Sequence, residues 1–329
     1  MALLLLDRAH LQVRTEGDAL ALYEAGTRRG TVPIKLIDRC VVHGAQTQLD
    51  SGMLLKLAEA GAAVIFMSPR QHRRVAMVLG PRHNDAAIRL AQARLVLDEA
   101  YCQQWSRQLV RAKLLRQCRS LQRWMAERPD ARKPLWDALE SIRATLLTLP
   151  PDGEAVGVER LRGLEGAAAR AYFGGFAAVL PPALQFTGRN RRPPRDPVNA
   201  CLSLAYTLLH AQAVQACHAA GLDPLLGFYH RPAFGRESLA SDLIEPLRSE
   251  VDQWVWGLVR QRDLREHHFT LDKGCCLLDK TGRSIFYARW ESQQAAWKRW
   301  LRLQTRTLAS QLRQQGEAWL EHDTEDEAD

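Results

Sequence analysis

The chain of 329 residues carries 45 lysines and arginines against 37 aspartates and glutamates, a net charge of +8 with a pI near 9.3, and 46% of it is hydrophobic. That length suits two cores of ordinary size. No window approaches the roughly 18 apolar residues of a bilayer span, and ALLLL at residues 2–6 is too short for a signal-peptide core, so a soluble, cytoplasmic protein is expected. Seven cysteines, odd in number and without C-x-x-C spacing, argue against a disulfide framework and a cysteine-rich zinc site. The basic balance favours an anionic partner, nucleic acid or an anionic membrane surface, and the acidic residues 321–329 make the rest of the chain more basic still.

Residues 1–80 read as a β-rich domain. Short apolar runs at Leu3–Leu6, Ala19–Tyr23 and Thr31–Ile37 are separated by Glu16-Gly17-Asp18 and Gly26-Thr27-Arg28-Arg29-Gly30. One helix interrupts them: Asp50 or Ser51 can cap it, Met53, Leu54, Leu57 and Ala58 share a face, and Gly61 ends it. AAVIFM then suits a buried strand. After a linker at residues 81–84 the period changes, and residues 85–320 read as a larger, all-α domain, followed by the acidic tail 321–329. The spacing predicts one long helix from Asp85 to Met125, stopped by Pro129, and carrying Arg89, Arg94, Arg107, Arg111, Lys113, Arg116, Arg119 and Arg123. That charge either lines a nucleic-acid path or is an ordinary solvated face. Further helices are expected over residues 134–149, 157–180, 197–220, 242–260 and 291–320, with Asp196-Pro197 a start signal and Gly221 a stop. A small hairpin is expected at residues 275–287, turning at Asp279-Lys280-Thr281-Gly282.

Three stretches of the helical part concentrate polar groups. In GLEGAAARAYFGG, Glu165 sits among glycines and alanines, where another backbone can approach closely. In GFYHRPAFGRES, His230 lies in a Gly/Pro/aromatic loop, followed by arginines at 231 and 236. In SDLIEPLRSEVD, Asp242 and Glu245 share a face if the turn is helical. Each has an ordinary structural reading: an exposed glutamate, a surface histidine, acids at a helix N-terminus. Taken together, one histidine and several carboxylates suit Mg²⁺ or Mn²⁺, and such an ion among arginines suits phosphodiester chemistry. A fourth stretch, RNRRPPRDPVNA, puts Arg189, Arg191, Arg192 and Arg195 into a proline-stiffened surface loop directly before an apolar helix.

The order of a GLEG-type helix, RNRRPPRDPVNACLSLAYTLL, GFYH and SLASDLIEPLR resembles the CRISPR-associated integrase family, the Cas-one protein of spacer acquisition. The resemblance extends over the whole chain and implies an α+β protein with a small N-terminal β-rich domain and a larger helical catalytic one. It implies a metal-dependent DNA integrase and endonuclease, active as a homodimer on double-stranded DNA. A small ferredoxin-like CRISPR-associated partner is implied to bridge two such dimers. The family's metal ligands fall on Glu165, His230 and Glu245, a position held there by Asp or Glu, with Asp242 the adjacent acid of the same catalytic motif. Arg189, Arg191, Arg192, Arg195, Arg231 and Arg236 become candidate DNA contacts. The rivals are a non-catalytic basic DNA-binding protein and a hydrolase of small phosphorylated substrates; the latter lacks any Gly-rich phosphate loop.

Overall fold

The computed structural model describes residues 2–44, 46–68, 73–81, 83–151, 154, 156–190 and 193–320. Arg191, Arg192 and the tail 321–329 lie outside the described residues. The N-terminal part contains β1 (Ala2–Leu6), β2 (Leu11–Glu16), β3 (Ala19–Glu24), β4 (Thr27–Pro33), β5 (Ile37–Val42), β6 (Gln48–Leu49), β7 (Ala63–Met67) and β8 (Arg74–Val78), with α1 (Ser51–Glu59) between β6 and β7. They form two four-stranded sheets, in the orders β1-β5-β7-β8 and β4-β3-β2-β6. In the first sheet β1, β5 and β7 are parallel and β8 is antiparallel.

Parallel neighbours need a crossover connection, and the segment carrying α1 supplies the one from β5 to β7. Asp50 caps α1 as its sequence suggests, accepting from Met53 N at 2.6 Å, and Met53 and Leu57 are buried. Every residue of β5 is buried, which fits an inner strand covered on both faces. Its side chains alternate: Cys40 and Val42 join Leu6, Val13, Leu20, Met53 and Val64 in the core of the N-terminal part. Val41, with Ile65 and Met67 of β7, joins the larger helical core instead. The period of two in one strand therefore fastens the β-rich part to the helices.

Those helices are α2 (Ala86–Leu97), α3 (Glu99–Glu127), α4 (Arg132–Leu147), α5 (Val158–Ala178), α6 (Pro197–Ala219), α7 (Ser238–Ile244), α8 (Arg248–Arg260) and α9 (Lys280–Gly316). Four expectations are corrected. The single helix over residues 85–125 is two, because Asp98 leaves the helical region (φ −80°, ψ 107°) and caps α3 by accepting from Tyr101 N at 3.0 Å. The expected helix over 242–260 is interrupted by a 3-10 turn, Glu245–Leu247, at Pro246, which lacks the N–H a continuous helix needs. The hairpin lies earlier, as β9 (Phe269–Asp272) and β10 (Cys275–Leu278) turning at Lys273 and Gly274, both at positive φ. Asp279 caps α9 instead of turning a hairpin, accepting from Gly282 N at 2.6 Å, so that helix begins at Lys280 and not near Glu291. Among the described residues, no helix is long and apolar enough to cross a membrane.

An aromatic stack fixes the spacing of the inner helices. Trp124 of α3 stacks on Phe176 of α5 at 4.9 Å between ring centroids and meets Tyr172 and Trp256 edge-on or tilted. Trp124 lies about three turns beyond Lys113 on α3, and Phe176 about three turns beyond Glu165 on α5. The ring stack thus holds together the same two helix faces that carry Lys113 and Glu165.

Two buried titratable groups contribute opposite slopes to the acid response of this core. Burial pushes the Asp252 carboxyl up to about 6, against the hydrogen bond from Tyr206. Burial likewise pushes His210 down to about 4, against the neighbouring Glu237. Between pH 4 and 6 folded Asp252 keeps a proton that the unfolded chain releases, so this group lowers stability as pH rises. In the same window unfolded His210 is protonated and folded His210 is not, so that group raises stability as pH rises. Asp252→Asn should therefore steepen the loss of stability on acidification from pH 6.5 to 4.5, and His210→Gln should flatten it, in urea unfolding at each pH. Removing the Asp196 cap of α6, which Asn199 N meets at 2.8 Å, should cost about 1–2 kcal/mol in the same assay with Asp196→Ala.

Candidate active site

The segment from Gly227 to Asp242 is built around one carboxylate. Asp242 is fully buried and accepts from the backbone N–H groups of Phe228 (2.8 Å), Tyr229 (3.0 Å) and His230 (2.9 Å). It also meets His230 Nδ1 at 2.6 Å. Burial raises the Asp242 carboxyl, and the His230 hydrogen bond and charge oppose that rise. This pairing commits Nδ1 and leaves Nε2 as the ring nitrogen for another partner. Gly227 permits the fold-back: a Cβ there would lie 2.6 Å from the Ser238 carbonyl carbon and 2.8 Å from Leu239 N.

Glu245 follows in the 3-10 turn and is 4% exposed. Its Oε1 accepts from Arg248 Nε at 2.8 Å and its Oε2 from Lys113 Nζ at 2.6 Å. Lys113 Nζ also bonds Glu165 Oε1, so one ammonium bridges carboxylates from α5 and the 3-10 turn. Burial pushes the Glu245 carboxyl up, but Arg248, Lys113 and His230 outweigh it and hold the group well below the ordinary carboxylate range. Burial likewise pulls Lys113 down, and Glu245 and Glu165 more than offset it, so the lysine stays charged. Arg248 is held in turn over the Tyr206 ring, 4.6 Å from its centroid. Tyr229 is pushed far above its usual range by burial and by the two glutamates.

The structure thus brings Glu165, Glu245 and His230 into one electrostatic neighbourhood, with Asp242 behind the histidine. Among the described residues, no group of three or more His, Cys, Asp or Glu side chains is arranged to hold a metal ion; the Lys113 ammonium stands between the two glutamates. The donor chemistry nonetheless fits a hard divalent ion: two carboxylates already close on one cation, and an imidazole beside them has its other nitrogen fixed.

The arginines divide. Arg189 turns inward, donating to Asn199 Oδ1 (2.6 Å) and Ser203 Oγ (3.1 Å) over the Tyr206 ring. Arg231 donates to Val96 O at 2.9 Å and pairs with Glu99 across the α2–α3 break. Arg195 and Arg236 are exposed. Pro194 O accepts from Cys276 N of β10 at 2.8 Å, which pins the arginine-rich loop to the hairpin. A Cβ on Gly163 or Gly166 would meet nothing within 4 Å, so α5 is open there, on a side away from the one that turns Glu165 toward Lys113.

Lys113 and Arg248 were not assigned to the site from sequence. Arg248, three residues after Glu245, is legible as an i,i+3 ion pair. Lys113 sits in a helix thick with arginines, where nothing local separates it from solvated neighbours.

Solved structures share this β-rich-then-helical architecture. A casposase bound to integration product superposes over 100% of this chain and 95% of its own, with a TM-score of 0.81 at 21% identity. A Cas1 protein from Thermotoga maritima covers 95% of this chain and 97% of its own, at 0.78 and 20%. The CRISPR-associated endonuclease Cas1 1 of Thermodesulfovibrio yellowstonii is 33% identical over 311 residues, 91% of this chain and 94% of that protein. The model of the CRISPR associated protein Cas1 family matches residues 4–292, and the chain belongs to that family.

Asp242→Ala strips the acceptor from the buried N–H groups of Phe228 and Tyr229, each costing about 1–3 kcal/mol when unpaired, and from the half-buried N–H of His230. The variant should unfold at several-fold lower urea stability or lose order between residues 227 and 242, read by hydrogen exchange. Gly227→Ala should increase exchange in the same segment.

Proposed function

We propose that the chain is a divalent-metal-dependent DNA endonuclease and integrase. It joins the 3′-hydroxyl of a short captured duplex to a phosphodiester at the edge of a CRISPR repeat. The observation that carries this reading is the pair Glu165 and Glu245, brought from separate helical segments onto one buried cation beside His230. Membership of the Cas1 family supports the nuclease and integrase chemistry, and the basic net charge supports a DNA substrate.

Glu165, Glu245 and His230 through Nε2 would hold Mg²⁺ or Mn²⁺. Such an ion, when bound, supplies charge stabilisation at a phosphoryl oxygen and favours ionisation of the attacking hydroxyl. The chain's own groups orient and position. Asp242 fixes the His230 ring and keeps Nδ1 occupied, which makes His230 a ligand and not a free base. Arg248 keeps Glu245 ionised in a buried setting. Exposed Arg195 and Arg236 can meet phosphates. Direct displacement by a hydroxyl needs no covalent enzyme intermediate, and hydrolysis of branched products uses the same in-line geometry.

The partners in this reading are double-stranded DNA, a second copy of the chain, and a small ferredoxin-like CRISPR-associated protein bridging two dimers. Strand joining tests it: labelled duplex with 3′-hydroxyls, a supercoiled plasmid carrying the repeat, and the small partner from the same locus. Wild type with Mn²⁺ should join label, while chelator, Glu165→Ala and His230→Ala should each reduce joining by at least about a hundredfold. Folded mutants that join as well as wild type would remove this site from the chemistry. Salt-sensitive DNA binding without joining would favour the non-catalytic alternative.

A further inference from the structure

The Lys113 ammonium has an unusual position for a lysine on a helix with so many exposed basic residues. Its side chain is 12% exposed, and it bonds Glu165 of α5 and Glu245 of the 3-10 turn together. Arg111 and Arg119 on the same helix are exposed. Arg116 pairs instead with Glu250, and Ser120 Oγ reaches Ser249 O at 3.4 Å, so α3 runs along the start of α8 with Lys113 at its glutamate end.

Charge arithmetic gives this position a meaning. Glu165 and Glu245 carry two negative charges, and Lys113 and Arg248 carry two positive ones, so the cluster is neutral as it stands. Two carboxylates this close would repel strongly without a cation between them. A divalent ion added to these four side chains, with the Asp242–His230 pair beside them, would leave excess positive charge in a largely buried place, which is unfavourable. Ion and ammonium therefore compete for one position. Lysine suits that exchange: its ammonium is a point charge on a flexible four-carbon stem, whereas a bidentate arginine fork would be harder to dislodge.

We propose that Lys113 is the resident cation of the metal-free site: it holds Glu165 and Glu245 in place and must withdraw for a divalent ion to bind. Lys113 is thus a positioning residue that trades metal affinity for a preassembled site. This rests on the metal-dependent reading above, and it predicts opposite effects on the two states. Loss of the ammonium weakens the metal-free protein and tightens the metal-bound one.

The test is titration of free Mn²⁺ by electron paramagnetic resonance, with thermal unfolding in chelator, on full-length wild type, Lys113→Met and Lys113→Arg. Glu165→Gln is the site-loss control. Lys113→Met should bind Mn²⁺ about tenfold or more tightly than wild type, melt at lower temperature in chelator, and regain more stability than wild type on adding Mn²⁺. Lys113→Arg keeps the charge and should bind Mn²⁺ no better than wild type. Lys113→Gln carries the expectations of Lys113→Met and serves where that variant does not fold. Glu165-dependent Mn²⁺ binding in wild type with no gain in Lys113→Met or Lys113→Gln overturns this inference alone. Wild-type binding no better than Glu165→Gln removes the metal site and this inference with it.

Discussion

A buried glutamate and a half-buried one from different helical segments cannot lie this close together unless positive charge is built in between them. That constraint organises the helical half of the protein. Lys113 supplies the bridging charge from α3, Arg248 supplies the second from the start of α8, and each needs its helix held in register. The Trp124–Phe176 stack holds α3 to α5, and Arg116–Glu250 holds α3 to α8. Breaking one member of such a network typically costs ~3–5 kcal/mol, because the partner is left buried and unpaired. The aromatic core and the ionic site are therefore mutually dependent.

The second organising group is Asp242. By collecting three backbone N–H groups and the His230 ring it turns a glycine- and proline-rich loop into a fixed platform. Its neighbour in sequence, Glu245, faces the other way, toward Lys113 and Arg248. Two acids three residues apart thus have different tasks, one inside the loop and one at the site. Their shared face on a helix gives no hint of this division, because the 3-10 turn at Pro246 redirects the chain between them.

Much of the fold was legible locally. The Asp50 and Asp196 caps, the Gly61 and Gly221 stops and the β-to-helix change near residue 85 follow from side-chain hydrogen bonding and backbone conformation. Helix breaks were less legible: Asp98 is a mid-sequence cap with no proline or glycine to announce it, and Asp279 is equally good as a turn residue or a cap. Of the site, Glu165, His230 and Glu245 stood out by their company of small or turn-forming residues and by family resemblance. Lys113 did not, because its role depends on which face of α3 meets α5, and that is decided by packing far along the helix. Arg189 and Arg231 illustrate the same limit, since arginines in exposed-looking loops proved to be tied to Asn199, Ser203 and Glu99.

The most direct measurement is diffraction from crystals grown with Mn²⁺, collected at the manganese absorption edge. One anomalous peak within coordination distance of Glu165, Glu245 and His230 Nε2, with the Lys113 ammonium moved off both carboxylates, is the predicted result. Lys113 still bridging the two glutamates at saturating Mn²⁺, with manganese absent or bound elsewhere, would contradict the account.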